Sequence, residues 1–263
     1  MKELEIRYRH WGVRKVKRSR IPDNWRELTA KQFTAVADMH ICGYNADKMI
    51  SQLCGLSEKE VNMMDSYQKY VIRGELEWML SLATPHDSFI IEQLPGTRLL
   101  PPGNKLRGCS LQQFMTADTY FQLFTLHPNK EEFLNLFVGA LYHRLGEYYN
   151  IEECDVPSLR RKATKIDMER NVAEISHADL NVRFAVYLNF ILIREWLSKA
   201  YPKLFPKGEE HEQGTKLHRP TDWLAIFDAF IGDDVADMRK YQIMLATDAF
   251  RIMERRIKNA QKR

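Results

Sequence analysis

The stretch Asp179–Ala200 constrains this chain more than any other. Between Phe184 and Ile193 only Asn189 and the Tyr187 hydroxyl are polar, so apolar groups surround the whole circumference of the helix that the stretch encodes. A helix of that kind is buried on all sides. Arg183 and Arg194 bound it, and the apolar run is about half the ~20 residues that a bilayer crossing needs. The prediction is a core helix, not a membrane anchor, with amphipathic elements packed around it.

Those elements can be read in order. Leu4, Ile6 and Tyr8 alternate with Glu3, Glu5 and Arg7, which predicts a short strand or an extended arm over residues 1–20. Ile21-Pro22 ends it. Thr29–Gln32, Ser57–Glu60 and Ser110–Gln113 have capping-box spacing, in which a side-chain oxygen satisfies the free N–H groups of a first turn. They open predicted helices over 30–42, 57–83 (with a break near Gly74) and from Ser110 to Pro128; a shorter helix spans 46–54. In the second of these, Val61, Met64, Tyr67, Val71, Leu76, Met79 and Leu80 supply the apolar period. Between Ser88 and Gly108 the pattern changes. Phe89-Ile-Ile, the Leu94-Pro-Gly turn and Thr97–Leu100 predict a β-hairpin insertion at 88–108, the best place for a projection. The helix after Pro128 carries Phe133, Leu136, Phe137, Ala140 and Leu141 and forms an antiparallel pair with its predecessor. Residues 150–177 are polar and predict a loop and a modest helix. A linker over 203–220 offers little to bury. Trp223–Phe230 and a long final helix, capped by Asp233 or Asp234 and reaching Lys262, complete a C-terminal helical segment over 221–263. The expected fold is mainly α, a multi-helix bundle over 21–202 around the buried central helix, with one small hairpin insertion and an N-terminal arm.

Charge is unevenly spread. Residues 1–20 hold eight Lys or Arg against Glu3 and Glu5, and residues 251–263 hold six against Glu254, although the whole chain is only +4. Basic ends on an acidic body attract nucleic acid, a membrane surface or an acidic protein, or simply stay solvated. At the N-terminus Arg7, Arg9, Arg14, Lys15, Lys17, Arg18 and Arg20 interleave with Tyr8, His10 and Trp11, a mixture suited to phosphate contacts plus base stacking. It also suits pairing with an acidic neighbouring chain. Near the C-terminus Arg251, Arg255, Lys258 and Lys262 fall on one helix face.

Signals for chemistry are few. Cys42, Cys54, Cys109 and Cys154 are widely spaced and read as free thiols of a reducing compartment, and no secretory apolar segment follows the charged start. His211 and His218 beside Glu209, Glu210 and Glu212 make a metal clip conceivable, but the spacing is wide for zinc. The acidic pairs Asp233-Asp234 and Glu152-Glu153 read as helix caps before they read as magnesium ligands. No nucleophile elbow, phosphate loop or dinucleotide fingerprint occurs. The reading is therefore non-enzymatic, without metal or cofactor.

The succession Ile21-Pro-Asp-Asn-Trp-Arg-Glu-Leu-Thr-Ala-Lys-Gln32, Leu94-Pro-Gly, Phe114-Met-Thr-Ala-Asp-Thr-Tyr-Phe121 and Leu136-Phe-Val-Gly-Ala-Leu-Tyr142 resembles proteins from the structural gene modules of tailed phages and prophages. The resemblance runs from residue 21 to about residue 260 and rests on packing and capping residues. It implies a role in virion or tail assembly, as a tail assembly chaperone or a neck or tail component. The partners it implies are other tail or neck proteins, or further copies of the chain, in the host cytoplasm or a finished virion. The alternative is a helical protein that binds nucleic acid through its basic ends.

Overall fold

The computed structural model describes residues 2–10, 13–144, 165–206, 221–232 and 234–261. The fold is mainly α, with two small two-stranded antiparallel sheets among the described residues. At its centre lies α8 (Leu180–Ala200), packed against α1 (Ala30–Cys42) and α6 (Glu131–Leu141). Ala185, Val186, Phe190, Leu192 and Ile193 of α8 are buried, while Phe184, Tyr187 and Ile191 on the opposite face are half-buried, so the helix is enclosed over most of its circumference rather than all of it.

Polar groups on α8 meet partners in the core or at its edge. Arg183 donates to Asn135 Oδ1 (2.6 Å) and the Ala178 carbonyl (3.0 Å) and pairs with Glu131. Asn189 accepts from the Ile90 N–H (2.7 Å) and donates to the Ser88 carbonyl (2.9 Å). Arg194 pairs with the fully buried Asp118 of α5 (Leu111–Leu126), which also accepts from the Trp223 indole N–H at 2.8 Å. Phe114 and Phe121 of α5, Phe137 of α6 and Phe190 of α8 form the aromatic centre, with ring centroids 5.1–6.0 Å apart in their contacting pairs.

Around this centre stand α2 (Ala46–Cys54), α3 (Glu58–Asn62), α4 (Ser66–Leu76) and α7 (Lys165–Ile175). The Thr29 and Ser57 capping boxes form with both reciprocal bonds. Ser110 also caps α5, while the Gln113 amide reaches the Leu141 carbonyl (3.0 Å) and ties α5 to α6.

Four expectations change. The predicted break at Gly74 falls instead at 63–65, because the Asp65 side chain accepts from the Gln68 N–H and starts α4 afresh; Gly74 lies inside that helix. The hairpin lies not at 88–108 but at the N-terminus, where β1 (Lys2–His10) pairs with β2 (Val13–Ile21). Residues 88–108 are instead an irregular inner layer. Leu94-Pro-Gly does turn, but β3 (Leu99–Leu100) pairs with β4 (His143–Arg144), and the buried Tyr142 hydroxyl donates to the Ile91 carbonyl at 2.7 Å. With Asn189 gripping Ser88 and Ile90, the segment is pulled inward rather than projected.

The linker is also shorter than expected, since Phe205 is buried against Phe114, Trp223 and Phe250. The buried Glu254 carboxylate accepts the N–H groups of Lys203 and Leu204, both at 3.0 Å, where the chain leaves α8. Beyond it α9 (Trp223–Ile231) is followed by α10 (Met238–Ile243) and α11 (Ala246–Ala260) rather than one long helix. The interruption has a cause: Leu245 bridges to Ser110, with Leu111 N–H donating to the Met244 carbonyl and Ala246 N–H to the Cys109 carbonyl. The C-terminal segment is thereby stitched to the start of α5. Residues 207–220, Glu152, Glu153, Cys154 and Asp233, with the metal and capping expectations placed on them, lie outside the described residues.

Candidate interaction surface

The N-terminal hairpin is held down along one face. Ile6 and Ile21 are buried, Leu4 and Tyr8 half-buried, and two of its cross-strand pairs bracket a ladder without a bulge, from Lys2 opposite Ile21 to His10 opposite Val13. Ser19 Oγ donates to the Cys54 carbonyl (2.6 Å), Lys17 Nζ to the Gly55 carbonyl (3.1 Å), and the Arg7 N–H to Gln68 Oε1 (2.9 Å).

Glu60 is the anchor beneath it. As the third residue of its capping box it accepts the Ser57 N–H, and it also receives the Tyr8 hydroxyl (3.2 Å) and Lys17 (3.3 Å). These donors, the Ser57 N–H foremost, hold its carboxyl down at about 2. Burial and the neighbouring carboxylate push the Tyr8 phenol up. The segment expected as a short strand or an extended arm is therefore a docked, pre-ordered pair of strands.

The outer face carries the predicted basic residues. Arg7, Val16, Arg18 and Arg20 are exposed there with Glu3 and Glu5. Arg18 and Arg7 lie 3.7 and 3.5 Å from Glu5, and Arg20 lies 3.6 Å from Glu3. Such exposed pairs contribute little stability, but they quench charge at the base of the hairpin. Among the described residues Arg14 and Lys15 have no acidic partner, so uncompensated charge rises toward the turn. Arg9 is on β1 beside them, opposite Arg14. Trp11 lies outside the described residues.

The second predicted basic set is elsewhere. α11 packs on α5, and no hydrogen bond or ion pair joins it to the hairpin among the described residues. Arg251 pairs with Asp248 (3.0 Å) and Lys258 with Glu254 (3.2 Å) on their own helix, leaving Arg255 exposed without an ion pair among the described residues. Lys262 is outside them. Among the described residues the two basic ends do not join into one site.

A feature that the periodicity misassigned lies beside the hairpin. Tyr67 and Tyr70, each 75% exposed, and Val71 project from α4 into solvent, while Ile72 and Leu76 face the core. Restarting the helix at Asp65 shifts its phase, so Tyr67 and Val71 leave the buried stripe they would share with Val61 and Met64. The available signal was Asp65 itself, whose side chain caps the Gln68 N–H three residues on. Gln68 and Glu75 of the same helix bind Arg7 and Lys2 of β1, so tyrosines and hairpin belong to one surface.

Two recesses lie among the described residues away from this surface. One of about 440 Å³ lies among Ala35, Asp38, Ile91 and Val182; Asp38 there is paired with Lys48 and Asn181, which hold its carboxyl below the usual range. The other, of about 500 Å³, is polar and contains His86 and Ser88, whose Nε2 and Oγ are 2.9 Å apart. That is nucleophile–base spacing. Among the described residues, however, no carboxylate hydrogen-bonds the other ring nitrogen. Burial lowers the His86 pKa, and its backbone N–H donates to the Leu192 carbonyl, so the segment around the pair is fastened to α8. Among the described residues no three acidic, histidine or cysteine side chains converge as a metal site, and no helix is long and apolar enough to cross a membrane.

No protein-family model, curated protein or solved structure matches the chain.

Proposed function

We propose that this chain is a non-enzymatic assembly or structural protein of a phage-type virion or tail, working in the host cytoplasm or in the particle through protein–protein contacts. The observation that carries the reading is the exposed Tyr67, Tyr70 and Val71 stripe on α4, adjoining a pre-ordered hairpin. Exposed aromatic groups at helical spacing, rimmed by charge, have the composition of an interface core. Tyrosine is moreover a residue that dominates binding energy at such cores. The resemblance to phage structural-module proteins supplies the setting. A second reading, nucleic-acid binding, is favoured by the uncompensated Arg14 and Lys15 near the hairpin turn.

The test is size-exclusion chromatography with light scattering, with and without nuclease, on the full chain and a Tyr67→Ala/Tyr70→Ala variant. A defined oligomer, or a co-purifying tail or neck protein, that survives nuclease and weakens at least tenfold in the variant is the expected result. A monomer that carries nucleic acid until digested, with affinity falling steeply in salt, overturns it in favour of the second reading.

A further inference from the structure

We infer that the outer edge of β2 is a docking site for an acidic, extended segment of another protein, which adds to the hairpin as a third strand. The inference rests on the protein-contact reading above and specifies the contact. Its starting point is a single bond: the Arg7 N–H donates to Gln68, so the Arg7 backbone faces away from β2. In an antiparallel ladder a residue points both its N–H and its C=O toward the partner strand, or both away. Arg7 stands opposite Val16 in a continuous register, and the same outward orientation therefore holds for Arg14, Val16 and Arg18 on the other strand.

The two edges differ in what covers them. On β1 the outward groups meet the start of α4, through Gln68 and the bridge between Tyr8 and Met64. On β2, among the described residues, the backbone groups of Arg14, Val16 and Arg18 make no hydrogen bond. These residues are exposed, with Val16 59% accessible. The result is an open strand edge of about 17 Å at ~3.4 Å per residue.

Charge selects the occupant. A strand laid along this edge places alternate side chains beside Arg14, Val16 and Arg18 on one face and beside Lys15 and Lys17 on the other. A second copy of β2, paired antiparallel about Val16, would set Arg14 against Arg18 and Lys15 against Lys17. Like charges directly opposite one another on both faces disfavour that dimer. An acidic strand meets Arg14 and Lys15, which have no acidic partner among the described residues, with complementary charge, while Lys17 and Arg18 are already paired with Glu60 and Glu5. A nucleic-acid backbone fits less well, because the edge alternates N–H donors with C=O acceptors and phosphates can answer only the donors.

The experiment uses the full chain and a fluorescein-labelled nonapeptide alternating glutamate and valine, followed by anisotropy. Its control is the same peptide with alternate backbone nitrogens methylated, which keeps the charge and removes the edge hydrogen bonds. We expect saturable binding of the parent peptide and at least tenfold weaker binding of the methylated one. Val16→Pro should weaken binding equally, since the Val16 N–H points outward and proline there removes no bond to β1; circular dichroism checks that the hairpin persists. Equal binding of both peptides to the intact chain overturns the inference whatever Val16→Pro does, because the contact would then be charge alone. No peptide binding, in a chain whose oligomer or complex still depends on Tyr67 and Tyr70, overturns the edge site and leaves the protein-contact reading standing. A twenty-nucleotide single strand that binds where the peptide does not overturns both.

Discussion

Glu60 shows how one side chain can serve three structures. It closes the capping box of α3, receives Tyr8 from β1 and Lys17 from β2, and so couples a helix start to the hairpin that lies over it. Its carboxyl is held at about 2, against an ordinary value of 4.5. A depressed carboxylate contributes stability that is complete above the unfolded value and disappears as pH falls through the folded one. The Glu60 contribution is thus present at neutral pH and is lost between 4.5 and about 2. Glu60→Gln should remove that pH dependence and cost about 1 kcal/mol at pH 7, since glutamine preserves the cap but not the charge. Urea midpoints measured across the acid range check this; an unchanged acid slope in the variant would show that other carboxylates govern it.

At the scale of elements, the central helix was legible and the inner irregular layer was not. Apolar side chains around the whole of Phe184–Ile193 specify burial whatever the partners are. The same run contains Asn189, whose amide holds Ser88 and Ile90 from about a hundred residues away, a pairing no local period encodes. Phe89-Ile-Ile therefore reads as a strand although its apolar groups pack as separate anchors. Asn189→Leu should destabilise the protein by about 1–3 kcal/mol, because two part-buried backbone groups lose their partner. Hydrogen exchange at the Ile90 amide should accelerate more than at amides of α5. Uniform acceleration would instead mean that Asn189 supports the whole core. The hairpin was half legible: β1 alternates clearly, while β2 (Val-Arg-Lys-Val-Lys-Arg-Ser-Arg-Ile) hides its strand character beneath five basic residues. The exposure of Tyr67 and Tyr70 depended on where α4 restarts, which the Asp65 cap decides.

Over the whole molecule, the C-terminal helices belong to the same core as α8, although their sequence reads as an appended segment. Trp223 and Phe250 pack on Phe114 with ring centroids 5.4 and 4.8 Å away, and the Trp223 indole joins Arg194 on Asp118. Trp223→Ala should cost about 3–5 kcal/mol. Far-ultraviolet circular dichroism and tryptophan fluorescence should shift together; two separate transitions would make residues 221–261 an independent unit. The packing of α1 on α8 has one more consequence, and it concerns time. A ribosome adding roughly 5–20 residues per second needs roughly 7 to 30 seconds to pass from the end of α1 to the start of α8. Throughout that interval α1 has been made and the central helix it packs against has not. The nascent chain must wait with its first apolar face uncovered, so its yield in a cell is set by what shields α1 during synthesis as much as by the stability of the finished fold.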